Sequence, residues 1–335
     1  MSTPSKSGVY SVLDDGNINA RADFFDGLGE GMAERYAATL GTLIASDSAD
    51  EDYRWLGTAP SMSVWEGEAL LQELPNYAAI LRNKPYLSGL RIEKKDIDRD
   101  KTGQIRRRVS GLGQKAARHW EELITDLIIA GETASGADSG DLKDISGKAY
   151  DGQAFFDTDH SYTGSNFTTN QSNDLSAGVW NVATATAPTA DEAAQCVLDM
   201  VGQFYSLKDD QGDPINGGLR TFQILVGTVP LYTAFVQAIG LQNLTSGATN
   251  PVRALDGQGL SISVEFEPRL SANTTKVYGF ATGGDINAFI LQDEDAVTVQ
   301  EEDPGILTTH INVAAKASRA AGFGLWQRAM VGTLS

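Results

Sequence analysis

The residues best placed to do chemistry lie in the run Phe155-Phe156-Asp157-Thr158-Asp159-His160. An Asp-x-Asp pair after apolar residues could support a metal-dependent phosphatase. One carboxylate would attack phosphorus while the other acts as acid or base beside Mg²⁺. Lys208-Asp209-Asp210 could stand in for a downstream acidic metal motif. The context opposes this chemistry. Such a motif should end an early buried strand of a parallel βαβ sheet, yet here 154 residues precede Phe155, a Gly/Ser/Thr-rich stretch surrounds the run, and position 161 is Ser where Thr or Val is wanted. The plainer reading is a turn whose Asp side chains accept hydrogen bonds from local amides.

Other constellations are weaker. Three histidines (His119, His160, His310) and one cysteine give no His/Cys zinc spacing. Asp209-Asp-Gln-Gly-Asp213 starts like a calcium loop, but Pro214 stands where the sharp-turn glycine is required. Gly27-Leu-Gly29-Glu-Gly31 lies inside an amphipathic pattern and follows no strand, so it is not a phosphate loop. A Ser/His/Asp triad could be assembled from any Ser-rich chain. We therefore expect no catalytic residue, no cofactor and no metal.

The bulk properties narrow the class. At 335 residues, 41% hydrophobic and 21% charged, the chain can build a substantial core. Cys196 has no internal disulfide partner, and its thiol fits a reducing cytoplasm. No apolar run approaches the ~18 residues of a membrane span, and the start MSTPSKSGVYSVLDDGN has no apolar core like that of a secretory signal. A net charge of -18 repels phosphate backbones and argues against sequence-independent nucleic-acid binding.

That charge is uneven. Residues 1–75 hold thirteen Asp/Glu against four Lys/Arg, whereas 91–118 hold ten Lys/Arg against four Asp/Glu. The triplet Arg106-Arg107-Arg108 reads as a solvated helix face or as a docking site for a neighbour's carboxylates.

The elements that position these residues are those of an α+β chain. Residues 1–17 lack a period and read as an extended arm. Phe24, Phe25, Leu28, Met32, Tyr36, Leu40 and Leu43 recur at helical spacing, which predicts an amphipathic helix over 19–44 weakened by its glycines. From 62 to 97 the chain reads as extended, with Leu90, Ile92 and Ile97 suggesting a long hairpin that has little core of its own. Residues 104–131 carry the strongest helical stripe, from Ile105 through Val109, Leu112, Trp120 and Leu123 to Leu127, with Gly131 at the stop. Thr189 with Glu192 predicts an N-cap for a helix to 207, on which Cys196 is a small buried hydrophobe. Strands are expected at 221–226, 260–266 and 275–280, a helix at 230–239, and long strands from 306 to 331 that bend at Gly322 and Gly324.

This order of parts resembles the tailed-phage capsid fold of the Hong Kong 97 type, and the phrases resemble the Mu-like major head subunit family. Lys94-Lys-Asp-Ile-Asp-Arg-Asp100 looks like the family's charged segment before its long helix, and Tyr150-Asp-Gly-Gln-Ala-Phe-Phe-Asp-Thr-Asp-His160 like its phrase ending in Phe-Phe-Ser-x-x-His. Asn250-Pro251, Leu255-Asp-Gly-Gln-Gly259, the strand through Phe266 and Pro268-Arg-Leu270 resemble a later series, and 317–326 the closing Gly/aromatic strand. The similarity runs over roughly 60–332, and the first 55 residues match little. Val277-Tyr-Gly-Phe departs from a more aromatic phrase of the family.

The resemblance implies a shell subunit rather than an enzyme. Residues 1–57 would be an N-terminal arm and 58–100 an extended loop lying over an adjacent copy. Residues 101–219 would be a peripheral domain with spine helix 104–131, 220–304 an axial domain, and 305–335 strands returning to the peripheral domain. The implied partners are other copies in pentamers and hexamers, with scaffold, portal and decoration proteins; DNA would be enclosed without specific binding, and no membrane is involved. Arg106, Arg107, Arg108, Lys115, Arg118, Trp65 and Tyr86 are the candidates for contact between copies. An encapsulin-like compartment shares the layout but not the Mu-type phrases.

Overall fold

The computed structural model describes residues 20–31, 36–56, 76–99, 103–136, 146–162, 167, 169–302 and 309–335. The proposed arm at 1–17 and the candidate Trp65 lie outside these residues.

The first apolar stripe does not make one helix. Helix α1 (Ala20–Gly31) is followed by a single turn, α2 (Ala37–Leu40), and then by strand β1 (Gly41–Ala45). Gly41 is extended, with φ -106° and ψ 147°, and ends the turn. Leu43 and Ile44 therefore alternate between faces as strand residues do, which helical spacing alone could not reveal.

Strands β2 (Asp50–Leu56) and β3 (Asn76–Arg82) form an antiparallel ladder, with Asp50 opposite Arg82 at one end and Leu56 opposite Asn76 at the other. Asn83 alone separates it from β4 (Lys84–Glu93), which leads into α3 (Lys94–Arg99). The hairpin expected over 62–97 is thus reapportioned. Its ladder starts at Asp50, Leu90 and Ile92 lie in β4, and Ile97 is helical.

Helix α4 (Gln104–Ala130) matches the expected stripe and stops at Gly131. At 1.5 Å per residue it is about 40 Å long. Strand β5 (Asp174–Trp180) precedes α5 (Ala190–Ser206), where Thr189 and Glu192 form the capping box read from the sequence. Then come β6 (Thr221–Val226), α6 (Val229–Gly240), α7 (Pro251–Asp256), β7 (Ser261–Phe266) and β8 (Lys276–Thr282). Two 14-residue strands follow, β9 (Phe289–Glu302) and β10 (His310–Phe323), and the tight turn Trp326–Arg328 leads into β11 (Ala329–Leu334).

These strands make two large sheets, β1-β9-β10-β4 and β5-β11-β8-β6-β7, while among the described residues β2 and β3 pair only with each other. The chain changes sheets between β8 and β9, and again after β10. The division expected at 304/305 therefore falls between two strands of one sheet.

Helix α4 runs past two cores. Its second half sends Leu123, Ile124, Leu127 and Ile128 into a large core with α5, α6 and the five-stranded sheet. Its first half sends Ile105, Val109 and Leu112 into a small core with Phe24, Ile92, Ile311 and Val313. The glycines of α1 explain how it gets there. A Cβ at Gly27 would overlap the Ser110 carbonyl, and one at Gly113 would overlap the carbonyl of Phe24. The two helices touch backbone to backbone, which only glycine permits.

Candidate functional site

The Asp-x-Asp run is a structural joint. His160 is fully buried, and its ring stacks on Trp326 at 4.0 Å between centroids, 4° from parallel. Its Nδ1 lies 2.6 Å from Asp151 Oδ2 and its Nε2 lies 3.1 Å from Asn173 Oδ1. The Asn173 amide is oriented by its own bonds, since Nδ2 donates to the carbonyls of Phe155 (2.8 Å) and Trp326 (3.1 Å). Its Oδ1 also accepts from the Asp157 amide at 2.9 Å, so it faces His160 as an acceptor and Nε2 carries a proton. Nδ1 faces the Asp151 carboxylate.

Asp157 Oδ1 accepts from the amides of Thr158 (2.7 Å) and Asp159 (3.2 Å), the local turn expected of the plainer reading. Asp159 is exposed. Asp209 Oδ1 likewise accepts from the amides of Gln211 and Asp213, both at 2.9 Å. Among the described residues no three His, Cys, Asp or Glu side chains converge as a metal ion would require. The thiol of Cys196 is buried on α5, and burial pushes its pKa up to about 12.

The basic candidates separate by helical phase. Arg106 leaves its triplet to clamp buried Asp23 on α1, with Nη2 2.9 Å and Nε 3.1 Å from Oδ1. The acidic front thus meets the basic helix within one chain at this point. Arg107 and Arg108 are exposed. Lys115 lines a groove of about 300 Å³ between α4 and the four-stranded sheet, where Tyr86 sets its ring 4.4 Å from that of His119. Arg118 sits three residues on and faces a different cleft of about 340 Å³, with Tyr36, Glu121, Phe266 and Arg269. Tyr36 donates to Glu267 Oε2 at 2.7 Å there, and burial raises the pKa of its phenol well above the usual range.

Sequence reading missed two features. The first is Arg319 at the floor of the Lys115 groove, 2% exposed, with its guanidinium 4.3 Å over the Trp120 ring. The available signal was one cation in the small-residue run Ala317-Ser-Arg-Ala-Ala-Gly322. The second is the outer face of α6. That helix has no charged residue, and Val229 (61%), Tyr232 (36%) and Val236 (41%) stand exposed one or two turns apart, beside Phe266 (37%).

The model of the family described as Mu-like prophage major head subunit gpT matches residues 17–188, just over half of the chain. The chain belongs to that family. The match begins at 17 and so takes in α1, which the sequence reading had left among the residues with little resemblance. The Mu-like prophage FluMu major head subunit of Haemophilus influenzae is 29% identical over 138 residues, 41% of this chain and 40% of that protein. The major capsid protein of Escherichia phage Mu is 26% identical over 140 residues, 42% of this chain and 41% of that one. The chain is thus matched over about two-fifths of the length of these curated relatives. The capsid structure of the cyanophage P-SCSP1u superposes with a TM-score of 0.53 at 12% identity, covering 89% of this chain and 87% of that one. The gpT-family chain therefore has the tailed-phage capsid fold of the Hong Kong 97 type. Within this family member, the phrase ending at His160 acts as the rivet that joins 151–160 to Asn173 and the C-terminal turn at Trp326.

Proposed function

We propose that this protein is the major capsid protein of a tailed phage or prophage. Copies would assemble into the icosahedral head shell that encloses double-stranded DNA. The observation that carries the reading is the β2–β3 ladder, a pair of strands outside both sheets. Among its described side chains the Tyr53 hydroxyl donates to Gln292 Oε1 at 2.8 Å, Leu81 lies over Gly322, and Ile80 stands 70% exposed. Two strands alone are marginal in water, so a ladder that leaves Ile80 this open calls for a surface from another molecule. The uncharged, apolar outer face of α6 points the same way. In a chain of net charge -18 it is where like-charged copies meet without repulsion.

In this reading α4 is the spine, 58–100 contributes the loop that reaches a neighbour, and 220–304 supplies contacts about the symmetry axes. Scaffold, portal and decoration proteins would be the further partners, and assembly would take place in the host cytoplasm before the shell becomes part of the virion. An acidic inner wall would hold packed DNA without gripping it. The role is structural and not enzymatic, because Asp157 spends its carboxylate on its own turn. Among the described residues no helix is long and apolar enough to cross a membrane.

Negative-stain microscopy of the purified protein tests the reading. Closed icosahedral particles are expected, joined to tails when the whole phage is present. Tailless cages filled with protein would select a cargo compartment, and a monodisperse monomer would end the proposal. Phosphatase turnover with Mg²⁺ that disappears in Asp157→Asn would restore the enzymatic reading.

A further inference from the structure

The groove between α4 and the four-stranded sheet is built unlike the rest of this acidic molecule. Lys115 reaches it from α4, and Lys316 and Arg319 from β10. Residues three apart on a regular strand face opposite ways. Here the register of β10 against β9 shifts between Lys316 and Ser318 and again between Ser318 and Arg319, and both cations line the one groove. Bulges re-aim side chains in this way. Glu122 is the carboxylate on the lining, so the balance is +2 with His119 neutral, or +1 with Asp293 beside Arg319 counted, in a chain of -18. Arg319 is 2% exposed. Its guanidinium lies 4.3 Å over the Trp120 ring, a contact made through its face that leaves the N–H edges for other partners. Its Nε makes no hydrogen bond, and neither does Asp293 Oδ1, which stands 3.8 Å away, too far to accept one. A buried guanidinium in this condition is costly, and an oxyanion would relieve the cost.

We propose that this groove is a binding site for a small oxyanion of the phosphate type. The donors select the class. A carboxylate offers two oxygens in one plane, whereas the tetrahedral oxygens of phosphate can meet an arginine fork and lysines from two walls at once. At about 300 Å³ the groove is at the small end for ligand sites, and it suits an ion with a few waters better than a large organic molecule. The chain's charge of -18 favours a small ion over a nucleic-acid backbone, because a polyanion laid along the surface would be repelled beyond the groove. Once bound, the ion would join α4 to β10 across the groove and screen Lys115 from Lys316. The site is complete within one chain, so the proposal stands apart from the shell reading.

Calorimetric titration of the full chain with inorganic phosphate, at an ionic strength held constant with chloride, tests the site. One saturable site per chain is expected, with a Kd of ~1 mM or tighter, and a thermal midpoint that rises with phosphate concentration. Arg319→Met keeps an unbranched side chain over Trp120 and should abolish the saturable signal. Lys115→Gln with Lys316→Gln changes two exposed residues and should leave circular dichroism unaltered. That double variant should weaken phosphate at least ~10-fold, since hydrogen bonds to charged groups are each worth about a decade or more. The absence of saturation by ~50 mM phosphate, far above a millimolar Kd, overturns the proposal, and so does unaltered affinity in either variant. An equal rise of the midpoint with acetate at the same ionic strength overturns the phosphate class. Displacement of phosphate by a stoichiometric single-stranded oligonucleotide would overturn the assignment to a small ion and give the site to a nucleic-acid backbone.

Discussion

Helix α4 offers a comparison within one element. Over Leu123 to Ile128 it is enclosed by α5, α6 and the five-stranded sheet, and all four apolar residues of that stretch are fully buried. Over Ile105 to Leu112 it has α1 on one side and the outer halves of β9, β10 and β4 on the other. Several members of that small core keep a residual exposure, 8% for Ile92 and Ile105 and 9% for Val299. Phe24 in the small core, the glycine contacts, the Asp23–Arg106 pair and the Gln114–Glu30 hydrogen bond hold α1 in place. One end of the rod is finished within a large core, and the other rests on a small one. The difference separates residues that make the fold from residues that make an assembly.

The largest effect belongs to the finished end. Phe280→Ala removes a fully buried ring from the five-stranded sheet and should cost ~3–5 kcal/mol in urea unfolding. Leu112→Ala in the small core should fall near the bottom of the ~2–5 kcal/mol range. Equal costs would erase the contrast between the two cores.

The rivet comes next. His160→Ala leaves Asp151 buried opposite nothing, and breaking a buried pair from one side costs on the order of 3–5 kcal/mol. His160→Gln, which retains a donor for Asn173, should recover part of that loss. Indifference of the unfolding midpoint to both changes would show that the stack on Trp326 carries no strain from 151–160.

Much of this was legible in the sequence, for identifiable reasons. Helix α4 and the cap at Thr189 came through because a 3.6-residue stripe and a capping box are local signals. The end of α1 did not. Leu40 and Leu43 keep helical spacing, and what makes 41–45 a strand is its parallel pairing with 289–293, nearly 250 residues away. The same holds for Gly27 and Gly31. In the chain they read as weak points of a helix, and only the facing backbone of α4 makes them necessary. Lys115 and Tyr86, named by charge and by type as candidates for contact between copies, both line the groove beside α4. Arg319 was not named, because nothing local tells which face of a long, bulged strand such as β10 a lone arginine will occupy.

Two smaller perturbations sharpen the contrast. Gly113→Val should push α1 off α4 at a cost of ~1–3 kcal/mol, detected as new proteolytic cleavage within 20–31 while the rest of the chain stays resistant. Resistance throughout would mean that α1 belongs to the finished part of the molecule. The arginine triplet should then divide. Arg106→Glu places a second carboxylate against buried Asp23 and should expose α1 in the same way. Arg107→Glu with Arg108→Glu should stay within ~0.5 kcal/mol of the unmodified stability, as exposed substitutions do, and show itself only in particle yield. A triple reversal therefore mixes a folding defect with any assembly defect, and the double variant is the cleaner probe.

The smallest effect lies at the margin of the large core and has a defined sign with pH. Asp174 opens the edge strand β5, and its buried Oδ1 has no hydrogen-bond partner. Burial raises its pKa above the ordinary carboxylate value, the charge of Lys276 pulls it back, and Asp157 and Glu132 push it up further. A folded-state pKa above the unfolded one means that the native state takes up the proton first. The ionised group therefore detracts from stability at neutral pH, and this penalty lifts as the pH falls through the folded pKa. Asp174→Asn removes the charge at every pH. Its thermal midpoint should exceed that of the unmodified protein at pH 7, and the gap should close by about pH 3, below the usual aspartate range. A gap that widens on acidification would mean that the carboxylate is stabilised in the fold by Lys276, and that even the edge of the large core is completed by charge pairing rather than by burial.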